Sequence, residues 1–304
     1  MRILVTGADG FIGRALVAAL GRDHDHHHDI VATDRGDGDI ADPDHVERLF
    51  ARPLDRIFHL AGLPSGAAEA DFVAGRRVNL DAMTLLLRNC RRQAEGGGPV
   101  ARLVYASSIA VFGTPLPSRI DDDTAAAPSL SYGTHKRVCE LLVDDLSRRG
   151  DICGRSLRLP GVVVRPGLPN GALSAFNSDL VREPLSKRDY VCPVGPEATI
   201  WIASLATAVD NLLRLAEVDA ERLGRRREVT MPALAVSVAE VVAAIGRIDP
   251  AAAARIAFRP DAAIEAQFGR WPRECRFARA DALGLRRDAS IDAIVRDFHD
   301  TLPP

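Results

Sequence analysis

Tyr132 and Lys136 stand four residues apart in Ser131-Tyr132-Gly133-Thr134-His135-Lys136, a spacing that puts both side chains on one face of a helix. A phenol is a reluctant base at neutral pH, and an ammonium beside it favours the phenolate form. Such a pair can take the proton of a substrate hydroxyl. Both residue types are scarce here. Of 39 basic residues only Lys136 and Lys187 are lysine, and the chain holds three tyrosines. Where a surface cation is all that is needed the chain uses arginine, so a retained lysine points to work that a guanidinium cannot do. Ser107 and Ser108 end a β-rich run that starts at Arg102, and a hydroxyl there can hold the reacting oxygen in place. The competing reading is an accidental pair on a solvated helix face, which would leave the serines and the glycine loop described next unexplained.

That loop is Gly7-Ala8-Asp9-Gly10-Phe11-Ile12-Gly13. It follows a β-rich run, Ile3–Thr6, and opens a helical one, Phe11–Leu20. Glycines allow the tight turn and let the backbone approach a pyrophosphate, whose charge is met by amides at the helix N-terminus. The spacing G-x-x-G-x-x-G departs from the commoner G-x-G-x-x-G of dinucleotide sites. Asp34 ends the next β-rich run, 21 residues after Gly13. A carboxylate there accepts the adenosine ribose hydroxyls and repels a 2′-phosphate, which favours NAD over NADP. The adjacent Arg35 could instead partner a phosphate.

The elements that must position these residues alternate. Strands are expected at Ile3–Thr6, Ile30–Asp34, Arg56–Leu60, Arg102–Ala106 and Ser156–Leu159. Helices are expected at Phe11–Leu20, Asp44–Phe50, Ser131–Arg148 and, as one long element, Asp71–Gln93. Alternation of this kind implies right-handed βαβ units, hence an α/β fold with a doubly wound parallel sheet. After about residue 165 the pattern becomes irregular, with Pro and Gly clusters at 166–171 and 193–196 and isolated elements at Glu228–Met231, Ser237–Ile245 and Ala289–Asp300. The expected division is a Rossmann-like cofactor domain over 1–165 and a smaller α+β substrate region over 166–304, some of whose segments return to the first core.

Composition sets the bounds. The 304 residues are 47% hydrophobic and 26% charged, an ordinary globular balance, and the net charge of −2 offers no field for nucleic acid. No apolar run approaches the roughly 20 residues of a membrane span. Met1-Arg2-Ile3-Leu4-Val5-Thr6-Gly7 turns to glycine after three apolar residues, so these residues are not expected to serve as the apolar stretch of a secretory leader. Five cysteines without a C-x-x-C point to a reducing, cytoplasmic setting. Four of the eight histidines fall in Asp23-His24-Asp25-His26-His27-His28-Asp29, between a helix and a strand, where a solvated loop is expected and no metal site is assigned.

In this order and spacing, Thr6–Gly13, Gly38-Asp39-Ile40, His59-Leu60-Ala61-Gly62 and Tyr132-x-x-x-Lys136 resemble the extended short-chain dehydrogenase/reductase superfamily. The resemblance implies NAD as cofactor, bound by Gly7, Gly10, Phe11, Ile12, Gly13, Asp34, Arg35, Asp39, Ile40, Leu60, Ala61, Gly62, Asn79, Tyr132, Lys136, Pro160 and Val162. It implies Ser108, Tyr132 and Lys136 as catalytic residues. Ser108 is taken from the register Ser107-Ser108-Ile109-Ala110-Val111-Phe112-Gly113, with Ser107 as the alternative. Asn79 matches an asparagine of the family and reads either as part of a proton relay or as a structural bond to backbone. A homodimer through the elements Asp71–Gln93 and Ser131–Arg148 follows by analogy.

Many members of the superfamily act on nucleotide-linked sugars. Those have an Asn just after the fifth strand, where this chain has Pro160, and an R-D-[FYW]-[IV]-x-V-x-D segment, where it reads Ala198-Thr199-Ile200-Trp201-Ile202-Ala203-Ser204. Ser107–Gly113, Ser131–Lys136, Cys139–Leu142, Leu157–Gly167 with Pro169-Asn170, Arg182–Leu185 and Cys192–Val194 instead resemble the D-erythronate dehydrogenase branch and, more distantly, the L-threonine dehydrogenases. That resemblance implies oxidation of a small sugar acid at C2. The residues alone reach a small polar secondary alcohol. For the substrate, Ser65, Ser108 and Tyr132 are assigned to its oxygens and Arg182 to its carboxylate. Two readings compete with it: a nucleotide-sugar epimerase or decarboxylase with retained NAD, and a non-catalytic NAD sensor, which would have no need of Tyr132 or Lys136.

Overall fold

The computed structural model describes residues 1–22, 28–167 and 173–303; residues 23–27 of the histidine-rich segment and the pair Pro169-Asn170 lie outside these. Its centre is a parallel sheet of six strands: β1 (Arg2–Thr6), β2 (Asp29–Thr33), β3 (Arg56–His59), β4 (Arg102–Ser108), β5 (Cys153–Leu159) and β6 (Glu228–Thr230). Their spatial order is β6-β5-β4-β3-β1-β2, with all five pairings parallel. Consecutive residues of β1 serve opposite faces. Ile3 and Val5 join one apolar cluster with Leu16 and Leu20 of the helix Phe11–Gly21 and Leu212 and Leu215 of the helix Leu205–Glu217. Leu4 joins the other, with Met83 and Leu86 of the helix Ala82–Glu95 and Cys139 and Val143 of the helix Ser131–Arg149. A sheet covered on both faces is what near-continuous apolar strands require. The chain leaves β1 for β2 on one side and returns to β3 on the other, so a crevice opens at the carboxyl ends of β1 and β3.

A third apolar cluster lies outside this sheet and joins Val163, Leu180, Ile202, Val241 and Ile294. It is built on a small sheet in which Thr199–Ser204 pairs parallel with Gly161–Val163 and antiparallel with Leu234–Ser237. Only Pro160 separates β5 from Gly161–Val163, so the chain passes directly from the central sheet to the third cluster at the mouth of the crevice.

The structure refines three of these elements. The helical run expected over 71–93 continues without a break from Phe72 to Glu95 and contains one π-helical turn, Arg77–Asp81. The wide turn carries Asn79, whose buried side chain accepts a hydrogen bond from Leu63 N at 2.7 Å and donates to Leu63 O at 3.1 Å. Satisfying that backbone offsets an irregular turn. The fifth strand begins at Cys153 rather than Ser156, because Arg155, fully buried, donates to Ala216 O and Val218 O at the end of the helix Leu205–Glu217. A charged residue in a strand reads poorly as one, yet it caps orphan carbonyls there. Glu228–Thr230, from the second half of the chain, pairs with β5 and completes the central sheet.

The glycine turn is packed to backbone contact. A Cβ on Gly13 would stand 2.0 Å from Gly7 O and 2.9 Å from Ala8 Cα. Gly13→Ala is therefore expected to destabilise the protein without added cofactor by about 1–3 kcal/mol, as overpacked sites do. Urea unfolding checks this, and an unchanged midpoint would contradict the packing described.

Candidate active site

A groove of about 1080 Å³ runs along the carboxyl ends of β1 to β5. At one end stands the glycine loop. Gly7 has φ +70°, and a Cβ on it would meet Ala61 N at 2.7 Å, so the turns after β1 and β3 touch through backbone. The helix that follows has Gly10 as its cap residue and no side-chain cap, leaving its first-turn amides open to the groove. Asp34, at the end of β2, accepts from Asp9 N at 2.9 Å and Arg35 N at 2.7 Å, which fixes its carboxylate beside the loop. Arg77 pairs with Asp39 on the same wall. A turn with no room for a Cβ, uncapped amides and a carboxylate beside them fit the pyrophosphate and ribose of a dinucleotide. Gly7, Gly10, Phe11, Ile12, Gly13, Asp34, Arg35, Asp39, Ile40, Leu60, Ala61, Gly62, Pro160 and Val162 all line the groove.

Ser107, Ser108, Tyr132 and Lys136 line the other end. One helix, Ser131–Arg149, carries Tyr132 and Lys136; Gly150, at φ 85°, ends it in the left-handed conformation. Lys136 is 4% exposed, and its Nζ donates to Ala106 O at the end of β4 at 2.7 Å. The same Nζ lies 5.5 Å from the centre of the Tyr132 ring and 4.7 Å from that of Tyr105. No carboxylate among the described residues pairs with it. Beneath it, burial and then the charge of Lys136 push the fully buried His59 imidazole down to about 3, so that ring is neutral at physiological pH. His59 Nδ1 stands 2.8 Å from Thr6 Oγ1, tying β3 to β1.

The two serines are not equivalent. Ser107 is buried, and its hydroxyl donates to Glu140 Oε1 at 2.6 Å. Ser108 Oγ accepts from Ala110 N at 3.1 Å, which leaves its proton for another acceptor. Glu140 was not among the expected site residues, although it lies one turn beyond Lys136 on the same face. It is fully buried and accepts a fork from Arg158, Nε and Nη2 each at 2.8 Å, and a bond from Arg137 at 2.9 Å.

Ser65 lines the groove and is 9% exposed. Asn79 does not line it; its amide is spent on Leu63, so it shapes the turn after β3. Arg182 does not line the groove either. Its guanidinium binds Asp179 and Glu183 on its own helix and donates to Arg165 O at 2.6 Å, leaving it no fork for a ligand. Residues that sequence reasoning left out include Arg165, Asn177 and Trp271, all in the wall. Trp201 is both core and wall: it is 1% exposed, donates to Pro272 O at 2.8 Å and packs on Trp271 at 5.0 Å.

Residues 3–190 match the model of the NAD dependent epimerase/dehydratase family. The chain belongs to that family. It is an oxidoreductase that uses a nicotinamide cofactor. It is 40% identical to a D-erythronate dehydrogenase of Cupriavidus necator and 32% identical to one of Haemophilus influenzae, with 98% of both chains covered in each case. It is also similar to a solved structure from Agrobacterium tumefaciens, described as a nucleoside-diphosphate-sugar epimerase, at 34% identity and a TM-score of 0.90, covering 99% of this chain and 94% of that one. Among the described residues no helix is long and apolar enough to cross a membrane.

Glu140 links the helix of Tyr132 and Lys136 to β4 and β5 at once. Removing its carboxylate takes both short bonds from the Arg158 guanidinium, whose side chain is 4% exposed, and leaves it Glu228 Oε1 at 3.8 Å. Glu140→Ala is expected to cost about 3–5 kcal/mol in urea unfolding, the range for breaking a buried pair from one side. A loss of less than about 1 kcal/mol would show that the fork contributes little.

Proposed function

We propose that the protein oxidises a secondary hydroxyl of a small sugar acid, D-erythronate to 2-oxo-tetronate, with NAD as the cofactor. The observation that carries this is the meeting in one groove of an uncapped glycine turn beside Asp34 and, at the opposite end, Ser108, Tyr132 and Lys136. A bound nicotinamide supplies the acceptor for the hydride leaving the substrate carbon. Tyr132 takes the hydroxyl proton. Lys136, fixed by the Ala106 carbonyl, places its ammonium beside that ring, where negative charge develops as the proton moves. Ser108 donates to the substrate oxygen, since Glu140 keeps Ser107 occupied. Asp34 selects NAD by meeting the ribose hydroxyls.

The D-erythronate dehydrogenases of two organisms, matched over nearly whole chains, support the substrate class. A second reading, a nucleotide-sugar epimerase retaining NAD, is favoured by the description of the Agrobacterium tumefaciens structure. Against it stand Pro160 at the position of the diphosphate-binding Asn and a segment, Ala198–Ser204, without the Arg-Asp pair and terminal acid. The five free cysteines support a cytoplasmic location. Phe72, Val73 and Leu141, 57%, 74% and 50% exposed, lie on the elements through which a homodimer would form.

A panel of C3–C5 sugar acids, 3-hydroxy amino acids and nucleotide sugars, followed by absorbance of the reduced nicotinamide, tests the proposal. D-Erythronate is expected to be the best substrate. Turnover of a nucleotide sugar alone, with cofactor that survives dialysis, would overturn the reading. Tyr132→Phe is expected to lower kcat by roughly 10²–10⁴-fold while cofactor affinity changes less than about twofold. Equal losses in both would make Tyr132 structural.

A further inference from the structure

Among the cations lining the groove, Arg165 is set apart by its surroundings. Arg77 is paired with Asp39, Lys136 is bound to Ala106 O, and Arg14 and Arg35 stand at the glycine-loop end. Arg165 stands near Tyr132, close enough for a charge on that ring to act on it. Its Nε donates to Val162 O at 3.1 Å, and no carboxylate among the described residues pairs with its guanidinium. Burial holds it below the ordinary arginine value, the opposite of what an ion-paired arginine shows. A guanidinium kept in a desolvated wall without a counter-ion is a poor arrangement for stability and a good one for an anionic ligand.

Its backbone is pinned. Arg182 donates to Arg165 O, and Asp179 and Glu183 hold Arg182 in turn. The ion pairs that disqualify Arg182 as a ligand residue thus make it the strut of the segment that presents Arg165. Asn177, on the helix Phe176–Leu185 that also carries these residues, lines the same groove at 8% exposure. Its Oδ1 is buried and has no hydrogen-bond partner among the described residues. An unpartnered amide oxygen buried in a groove wall lacks a hydrogen bond, and a donor arriving in the groove is a candidate to supply it.

We propose that Arg165 binds the substrate carboxylate and that Asn177 bonds a hydroxyl of the same molecule, so that the two side chains select a short hydroxy acid. This rests on the sugar-acid reading above. A carboxylate one carbon from the oxidised centre places the anion beside Tyr132, where Arg165 stands, and the fork of a guanidinium matches its two oxygens. Arg182 is a positioning residue for it.

The test compares the wild type with Arg165→Met, Arg165→Lys and Asn177→Leu on D-erythronate and on its neutral counterpart erythritol, with cofactor affinity measured by fluorescence of the reduced nicotinamide. Arg165→Met is expected to raise KM for D-erythronate by about 100-fold or more while leaving erythritol oxidation and cofactor affinity near the wild-type values. Arg165→Lys restores part of the KM effect, because the charge returns without the fork. Asn177→Leu is expected to raise KM by about 10-fold with the acid-over-polyol preference kept. If the wild type oxidises D-erythronate and Arg165→Met keeps its KM within twofold, or loses erythritol oxidation and cofactor binding equally, the assignment of Arg165 falls alone. If the wild type turns over a nucleotide sugar and not D-erythronate, the sugar-acid reading falls and takes this assignment with it.

Discussion

A single ammonium, taken out of water and given no carboxylate, is the constraint around which this site is arranged. The Lys136 ammonium donates to one carbonyl, Ala106 O, and lies against the rings of Tyr105 and Tyr132. Neither contact neutralises it. Charges are rarely buried on such terms, because desolvation outweighs what a carbonyl and two ring faces return. An unneutralised cation in a groove wall is useful when negative charge must form beside it.

Holding that cation in register takes two elements that the rest of the fold locks together. Lys136 meets β4 through the last carbonyl before the serines, and Glu140, one helical turn on, binds Ser107 of β4 and Arg158 of β5. The helix, the strand end and the neighbouring strand thus share one buried polar network. Satisfied networks of this kind specify geometry more than they add stability. The same network occupies Ser107 and so leaves Ser108 as the hydroxyl available to the groove.

Much of the scaffold is legible in the sequence because its elements obey simple periods. Ile3–Thr6 and Arg102–Ala106 are apolar runs, and Tyr132, Lys136 and Cys139 recur at helical spacing. What was not legible depends on contacts between distant segments. The π-turn at Asn79 exists because Leu63 backbone needs a partner, and no period in 71–93 announces that. Arg155 reads as a surface residue until the helix Leu205–Glu217 arrives to be capped. Composition misdirects as well. In a chain with so many arginines, choosing between Arg182 and Arg165 requires knowing which one already has carboxylate partners, and Asp179 and Glu183 become partners only once the helix Phe176–Leu185 is formed. Motifs, in contrast, survive without tertiary knowledge because they encode local geometry: a turn with no room for a Cβ, and two side chains one helical turn apart.

The central claim is that Lys136 is kept for chemistry and not for stability, and Lys136→Met tests it most directly. The variant retains the length of the side chain and removes the charge. Activity on D-erythronate and the thermal midpoint should be measured on the same preparation. A roughly 10²–10⁴-fold fall in kcat/KM is expected together with an unchanged or higher Tm, since a buried ammonium without a carboxylate partner has been replaced by an apolar chain. A folded variant with near-normal activity, or one whose Tm drops as it would on losing a structural ion pair, would contradict it.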